Sequence, residues 1–161
     1  YGHGITTTPL QATVLYAAIG NGGKLIVPSL IKNQKIKDSK KIISADTSKN
    51  LTNILRKVVS SKEGTASLAD IDGYYVGGKT GTAEIWDVEK KEYSKHEFIS
   101  SFASVFPIDK PKYVIIISIE APIYSKRWGG ESAAPCAKRI IEDIIFYDKE
   151  LLNKGISSAK A

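Results

Sequence analysis

Positions 76–84 read Val76-Gly77-Gly78-Lys79-Thr80-Gly81-Thr82-Ala83-Glu84, a stretch whose residue types converge on one kind of chemistry. The Lys ammonium supplies fixed positive charge. Thr80 and Thr82 are two residues apart, so on a strand their hydroxyls share one face. The glycines remove side chains that would keep a ligand from the backbone. An edge built this way can hold a peptide-like substrate as an added strand, with its terminal carboxylate on the hydroxyls and a backbone N–H aimed at a developing oxyanion.

A second chemistry competes for the same residues. Gly73-Tyr74-Tyr75-Val76-Gly77-Gly78-Lys79-Thr80 satisfies the phosphate-loop pattern of a P-loop nucleotide-binding protein. That loop works by aiming a helix N-terminus at phosphates, so a helix must start at the Lys. Here Gly81 follows almost at once, and residues 82–88 lack a helical apolar period and are rich in strand formers. The pattern therefore predicts a strand. Standing alone, the motif would be no more than a glycine-rich turn beside an exposed Lys.

The elements that must position this stretch are legible in the flanking patterns. Pro9 opens a buried helix with Leu10, Val14, Leu15 and Ala18 at helical spacing, ended by Gly20-Asn21-Gly22-Gly23. Residues 25–31 and 36–43 predict a peripheral hairpin, with Pro28 on an edge strand. Ser44 or Asp46 caps a helix whose Leu51, Ile54, Leu55 and Val58 share a face. Strands follow at 74–86, 98–106 and 113–120, pairing antiparallel, with the 107–111 turn favouring a hairpin over a crossover. Val114 to Ile117 is apolar at both parities, which calls for helices on both faces of the sheet. The last helix carries Ala133, Ala137, Ile140, Ile141, Ile144 and Ile145 as an apolar stripe, with Pro135 in its first turn. The fold class is thus α+β, an antiparallel sheet flanked by helices. One domain over 1–152 is expected, with 153–161 as a flexible tail.

Composition narrows the function classes. At 161 residues, 42% hydrophobic and 25% charged, the chain fits a soluble globular domain rather than a disordered one. Its longest apolar run, around 113–119, is far short of the roughly 20 residues that cross a bilayer. The net charge of +6 is scattered among acids, as in Asp87-Val88-Glu89-Lys90-Lys91-Glu92, so a solvated mixed-charge face is expected and no nucleic-acid partner. The single Cys136 excludes an intrachain disulfide and, within its helical pattern, reads as a buried thiol. Two His without clustered Asp, Glu or Cys give no metal site, and no cofactor is implied. The chain starts at Tyr1 and holds no Met, so a longer parent is expected.

Several segments, in order, resemble the class B penicillin-binding proteins of the septal, cell-division type, over nearly the whole chain. They are Tyr1-Gly2-His3-Gly4-Ile5 with Thr8-Pro9-Leu10-Gln11, then Tyr16 to Gly23, Glu63-Gly64-Thr65-Ala66, Gly78 to Ala83, Phe102 to Pro107, and Gly129-Gly130 with Ala133-Ala134-Pro135. The resemblance implies the C-terminal portion of a penicillin-binding/serine β-lactamase-like transpeptidase fold. It also implies acyl transfer: a serine attacks the penultimate carbonyl of a peptidoglycan stem peptide ending in D-Ala-D-Ala, D-Ala leaves, and a neighbouring stem amine resolves the acyl-enzyme. β-Lactams trap the acyl stage. Carried over by position, Lys79 serves catalysis by electrostatics, Thr80 and Thr82 hold the substrate carboxylate, the Thr82 backbone N–H is half of the oxyanion hole, and Gly81 leaves room for substrate. The implied partners are stem peptides, β-lactam antibiotics, a septal glycan polymerase and division proteins. The implied location is a parent anchored in the cytoplasmic membrane with this domain on the extracytoplasmic side.

The family also needs Ser-x-x-Lys for the nucleophile and its base, and Ser-x-Asn. Ser29-Leu30-Ile31-Lys32 follows Pro28 on an expected edge strand, Ser157-Ser158-Ala159-Lys160 lies in the tail, and Ser48-Lys49-Asn50 reads as a solvated first helical turn. None suits the role. The nucleophile serine is therefore expected upstream of Tyr1, and the chain alone is expected to be inactive. Alternatives are a non-catalytic penicillin-recognising sensor or scaffold, and a serine β-lactamase or D-Ala carboxypeptidase, against which the Gly-His-Gly and Ala-Ala-Pro segments argue. His3 reads as loop-shaping, Asp87 to Lys95 as a strand-to-strand loop bounded by Trp86 and His96, and 128–130 as a turn lining the far side of the cleft.

Overall fold

The computed structural model describes residues 5–32, 34 and 39–158, the last five as backbone alone. Helix α1 (Pro9–Gly20) starts on a capping box in which Thr8 Oγ1 accepts from the Gln11 N–H and Gln11 Oε1 accepts from the Thr8 N–H. Two orphan donors of the first turn are satisfied reciprocally. Helix α2 (Ala45–Ser60) starts on Ser44, whose side chain accepts from the Thr47 N–H. Strands β1 (Gly77–Asp87), β2 (Glu92–Phe106) and β3 (Tyr113–Glu120) form an antiparallel sheet in the order β1-β2-β3. Helices α3 (Ala133–Tyr147) and α4 (Lys149–Ser158) close the chain, so the expected tail from 153 is helical backbone as far as Ser158.

Register assigns the layers. Thr80 opposes Phe102, which opposes Ile117, so these residues share one face with Gly78, Thr82, Ser100, Ser104, Ile115 and Ile119. Phe102 and Phe106 bury fully there against Ala133, Ala134, Ala137 and Ile141 of α3. Val105 points the opposite way and meets Gly20 at the end of α1. Helices α1 and α2 touch each other and lie on that second side, α1 against β2 and β3, α2 against β1. The expectation that helices cover both faces of the sheet holds.

Several details differ from the sequence reading. Helix α1 buries only Ala18, while Leu10 and Leu15 are more than half exposed, because the helix has partners on one side only among the described residues. The expected hairpin reduces, among the described residues, to the single bridge Lys24↔Lys41, which Gly23 closes by accepting from the Ile42 N–H. Its other positions up to Ile43 partly fall outside those residues. Val27, Leu30 and Ile31 are exposed, and Pro28 offers no N–H to a ladder. On α2, Ile54 is exposed, and Ser48, expected in a solvated turn, is buried and donates to the Ile19 carbonyl at 2.5 Å. Cys136 is exposed on α3 rather than buried, since the stripe facing the sheet runs through Ala133, Ala137 and Ile141.

Candidate functional site

Among the described residues strand β1 is an edge strand, paired with β2 on one side only, and its entry is braced from α2. The Arg56 guanidinium donates to Asp70 Oδ1 and to the Val76 carbonyl, both at 2.8 Å, immediately before the strand begins. At Gly78 a Cβ would stand 2.4 Å from Phe102 Cζ, so the phenyl ring takes the space that a side chain would need. The core residue Phe102 thus explains one glycine of the motif.

Beyond Gly78 the motif opens to the surface. Thr80 and Thr82 share the α3 side of the sheet, as their spacing predicts, while Lys79 and Gly81 belong to the opposite parity. Exposed Lys79 nevertheless bends to the edge: Nζ donates to the Thr80 carbonyl at 2.7 Å and stands 3.5 Å from Thr80 Oγ1. Thr80 Oγ1 lies 2.9 Å from Thr65 Oγ1. Thr82 Oγ1 accepts from the Gly129 N–H at 3.2 Å. A Cβ at Gly81 would meet Ser101 Oγ at 2.5 Å.

The 127–130 turn is built to lie on this strand. Ser100 Oγ donates a short hydrogen bond to the Arg127 carbonyl, and the Gly129 carbonyl accepts from the Ala134 N–H at 2.9 Å. A Cβ at Gly129 would come within 2.3 Å of the Ser101 carbonyl oxygen and 2.6 Å of that of Gly81. The Arg127 guanidinium stacks 4.3 Å from the Tyr124 ring and 4.8 Å from that of Trp128, which steadies the approach to the turn. The turn was expected on the far side of the cleft; it sits on Thr82 itself.

Other sequence candidates fall elsewhere. Strand β1 runs on through Lys79 to Asp87 with no helix starting there, which removes the mechanism of a phosphate loop. The expected 87–95 loop is a tight turn at 88–91, and Glu92 to His96 belong to β2. Trp86 packs edge-on against Tyr93 at 5.1 Å, and His96 lies 6.0 Å from the Tyr124 ring. The Ser29 hydroxyl accepts from the Ile31 N–H at 3.0 Å in an exposed bend, not at a helix start. His3 and Ala159-Lys160 lie outside the described residues. No group of three His, Cys, Asp or Glu among the described residues could hold a metal. Sequence reasoning missed Thr65 and the Gly129 N–H as site members; the Glu63-to-Ala66 and Gly129-Gly130 segments were the available signals.

Strong charge pairing sits away from the site. Lys112 and the Tyr113 hydroxyl each donate to Asp148 at 2.6 Å, and these bonds hold its carboxyl down at about 2. Lys112 is raised in turn by its hydrogen bond to Asp148. Burial raises the Tyr16 phenol on α1.

Comparison with known proteins follows the same lines. Residues 1–142 match the family model described as the penicillin binding protein transpeptidase domain. A peptidoglycan D,D-transpeptidase FtsI homolog of Mesostigma viride is 32% identical over 92% of this chain and 28% of its own length. Stage V sporulation protein D of Bacillus subtilis is 34% identical over 89% of this chain and 23% of its own. The chain therefore spans about a quarter of the length of these relatives. Among solved structures, penicillin binding protein 3 of Mycobacterium tuberculosis complexed with aztreonam superposes with a TM-score of 0.81 at 31% identity, covering 89% of this chain and 36% of that one. The transpeptidase domain of Burkholderia pseudomallei penicillin-binding protein 3 gives 0.76 at 28% identity, covering 90% and 44%.

Proposed function

Because this chain belongs to the penicillin-binding protein transpeptidase domain family, we propose that it forms the edge-strand wall of a serine acyl-transfer site that cross-links peptidoglycan stem peptides at D-Ala-D-Ala and is acylated by β-lactams. The observation that carries this reading is the open edge of β1. Residues of an antiparallel strand alternately point both backbone groups at the partner strand and away from it. The Lys79 ammonium on the Thr80 carbonyl favours the even-numbered residues as the outward set. The Thr82 N–H then faces outward too, which supports its reading as an oxyanion donor.

In this reading a serine oxygen attacks the penultimate carbonyl, the Thr82 N–H takes up the developing negative charge, and the peptide C–N bond breaks as the proton given up by the serine passes to the leaving amine of D-Ala. The neighbouring stem amine then attacks the ester and frees the serine. Thr80 and Thr82 bind the terminal carboxylate, Lys79 adds positive charge, and Gly81 keeps the edge open. The chemistry resembles other electrostatic oxyanion sites, where one donor contributes about 3 to 4 kcal/mol. The nucleophile, its Lys and the Ser-x-Asn motif come from sequence outside this chain, with residues 1–152 forming part of the domain and 153–161 its tail. By family resemblance, the location is the extracytoplasmic side of the cytoplasmic membrane, and the partners are a septal glycan polymerase and division proteins. No helix among the described residues is long and apolar enough to cross a membrane.

Intact-mass spectrometry after penicillin treatment tests the proposal, on this chain and on the same chain with its natural upstream sequence. An adduct on the longer protein alone is the expected result. An adduct on neither overturns acyl transfer in favour of a penicillin-recognising sensor or scaffold. An adduct on the short chain places the nucleophile among its own serines.

A further inference from the structure

Thr65 lies outside the Lys-Thr-Gly-Thr stretch, yet its hydroxyl oxygen is 2.9 Å from that of Thr80. A hydroxyl owns one proton and two acceptor lone pairs. For Thr80 to donate to a ligand carboxylate, its proton must not be spent on a protein neighbour. Lys79 does not settle that choice, because Nζ bonds the Thr80 carbonyl at 2.7 Å and stands at the 3.5 Å limit from Thr80 Oγ1. Thr65 is the near partner.

The backbone holds Thr65 in place. The Gly64 N–H donates to the Ser61 carbonyl at 2.9 Å and the Ala66 N–H to the Val58 carbonyl at 3.2 Å, tying both neighbours of Thr65 to the C-terminal end of α2. From the other side Gly130 approaches so closely that a Cβ there would stand 2.0 Å from the Thr65 carbonyl oxygen. Thr65 is an exposed residue whose hydroxyl lies beside that of Thr80. Across the strand, the Gly129 N–H occupies a lone pair of Thr82 Oγ1 and leaves the Thr82 proton available for donation. The same logic applied to Thr80 requires Thr65 to be the donor.

Building on the acyl-transfer reading, we infer that Thr65 is a positioning residue of the carboxylate site: it donates to Thr80 Oγ1 and so commits the Thr80 proton to the ligand carboxylate. Hydrogen-bonded hydroxyls in series also strengthen one another, which makes Thr80 a better donor to an anion.

The test compares acylation rates by benzylpenicillin and by its methyl ester, which lacks the carboxylate, on the chain with its natural upstream sequence. Thr65→Val leaves the Thr80 hydroxyl unoriented and without a donor to polarise it, and should lower the acid-to-ester rate ratio about two- to fourfold, the scale of cooperative strengthening of one hydrogen bond to a charged group. Thr65→Ser keeps the hydroxyl and should keep the ratio. A purely structural role would slow both probes together, so a wild-type ratio in Thr65→Val overturns the inference while leaving the acyl-transfer reading intact. A ratio lost in Thr65→Ser as well overturns it too, since the methyl group and not the hydroxyl would then matter. Failure of the wild-type protein to react with benzylpenicillin overturns the reading beneath it and the inference together.

Discussion

Two glycines of the motif look equivalent in sequence and differ in what crowds them. A Cβ at Gly78 would meet the edge of the Phe102 ring at 2.4 Å, and that ring is fully buried in the core. A Cβ at Gly81 would meet Ser101 Oγ at 2.5 Å, the end of a short side chain that can rotate away. Gly78→Ala should therefore cost about 1 to 3 kcal/mol in a denaturant titration, as overpacked cores do, and Gly81→Ala appreciably less. The order reverses in function: in the acyl-transfer reading Gly81→Ala slows penicillin acylation of the protein with its upstream sequence, because Gly81 sits between Thr80 and Thr82 and making room for a methyl group beside Ser101 shifts both. Equal stability losses in the two variants would contradict this division. Parity and glycine content were legible in the sequence at these positions, but Phe102 and Ser101 as the crowding partners were not, since they lie about twenty residues or more away and reach β1 only through strand pairing.

At the scale of elements, the site depends on two ties from α2, one to α1 and one to β1. Ser48 is buried and donates to the Ile19 carbonyl at the end of α1. Ser48→Ala leaves that carbonyl short of a donor and should lower stability by about 1 to 2 kcal/mol, whereas Lys49→Ala on the exposed side of the same turn should fall within about 0.5 kcal/mol of wild type. Thermal or denaturant unfolding of the pair checks it. The second tie is Arg56, which links α2 to Asp70 and to the Val76 carbonyl just ahead of β1. Arg56→Met keeps the length of the side chain and removes both bonds, so hydrogen exchange should speed at the first residues of β1 more than in β3. The helical period of α2 was readable from Leu51, Leu55 and Val58. Ser48 was not, because a serine in a first turn carries no sign of which neighbour will cover it.

Across the whole molecule, Asp148 joins the start of β3 to the junction of α3 and α4 through Lys112 and the Tyr113 hydroxyl. Its carboxyl is held at about 2 against an ordinary 3.8. Because the folded value is the lower one, the stabilisation is fully present above the unfolded value and is lost as pH falls from near 4 through about 2. Asp148→Asn should flatten that acid limb in urea midpoints measured from pH 5 to pH 2, and an unchanged limb would reassign the acid sensitivity to other carboxylates. The sequence by itself determined what short-range periodicity can encode. That includes the antiparallel sheet with helices on both faces, the shared face of Thr80 and Thr82, and the strand through Lys79 that displaces a phosphate loop; the family was legible separately, from the resemblance of several motifs in order. Only the tertiary structure decided that Thr65 meets Thr80, that the Gly129 N–H meets Thr82, that Cys136 and Ile54 face outward, and that the expected hairpin reduces among the described residues to one bridge. Residue alternation within a strand says which way a side chain points. Which distant segment arrives to meet it is set by packing of the whole chain, and no local pattern carries that information.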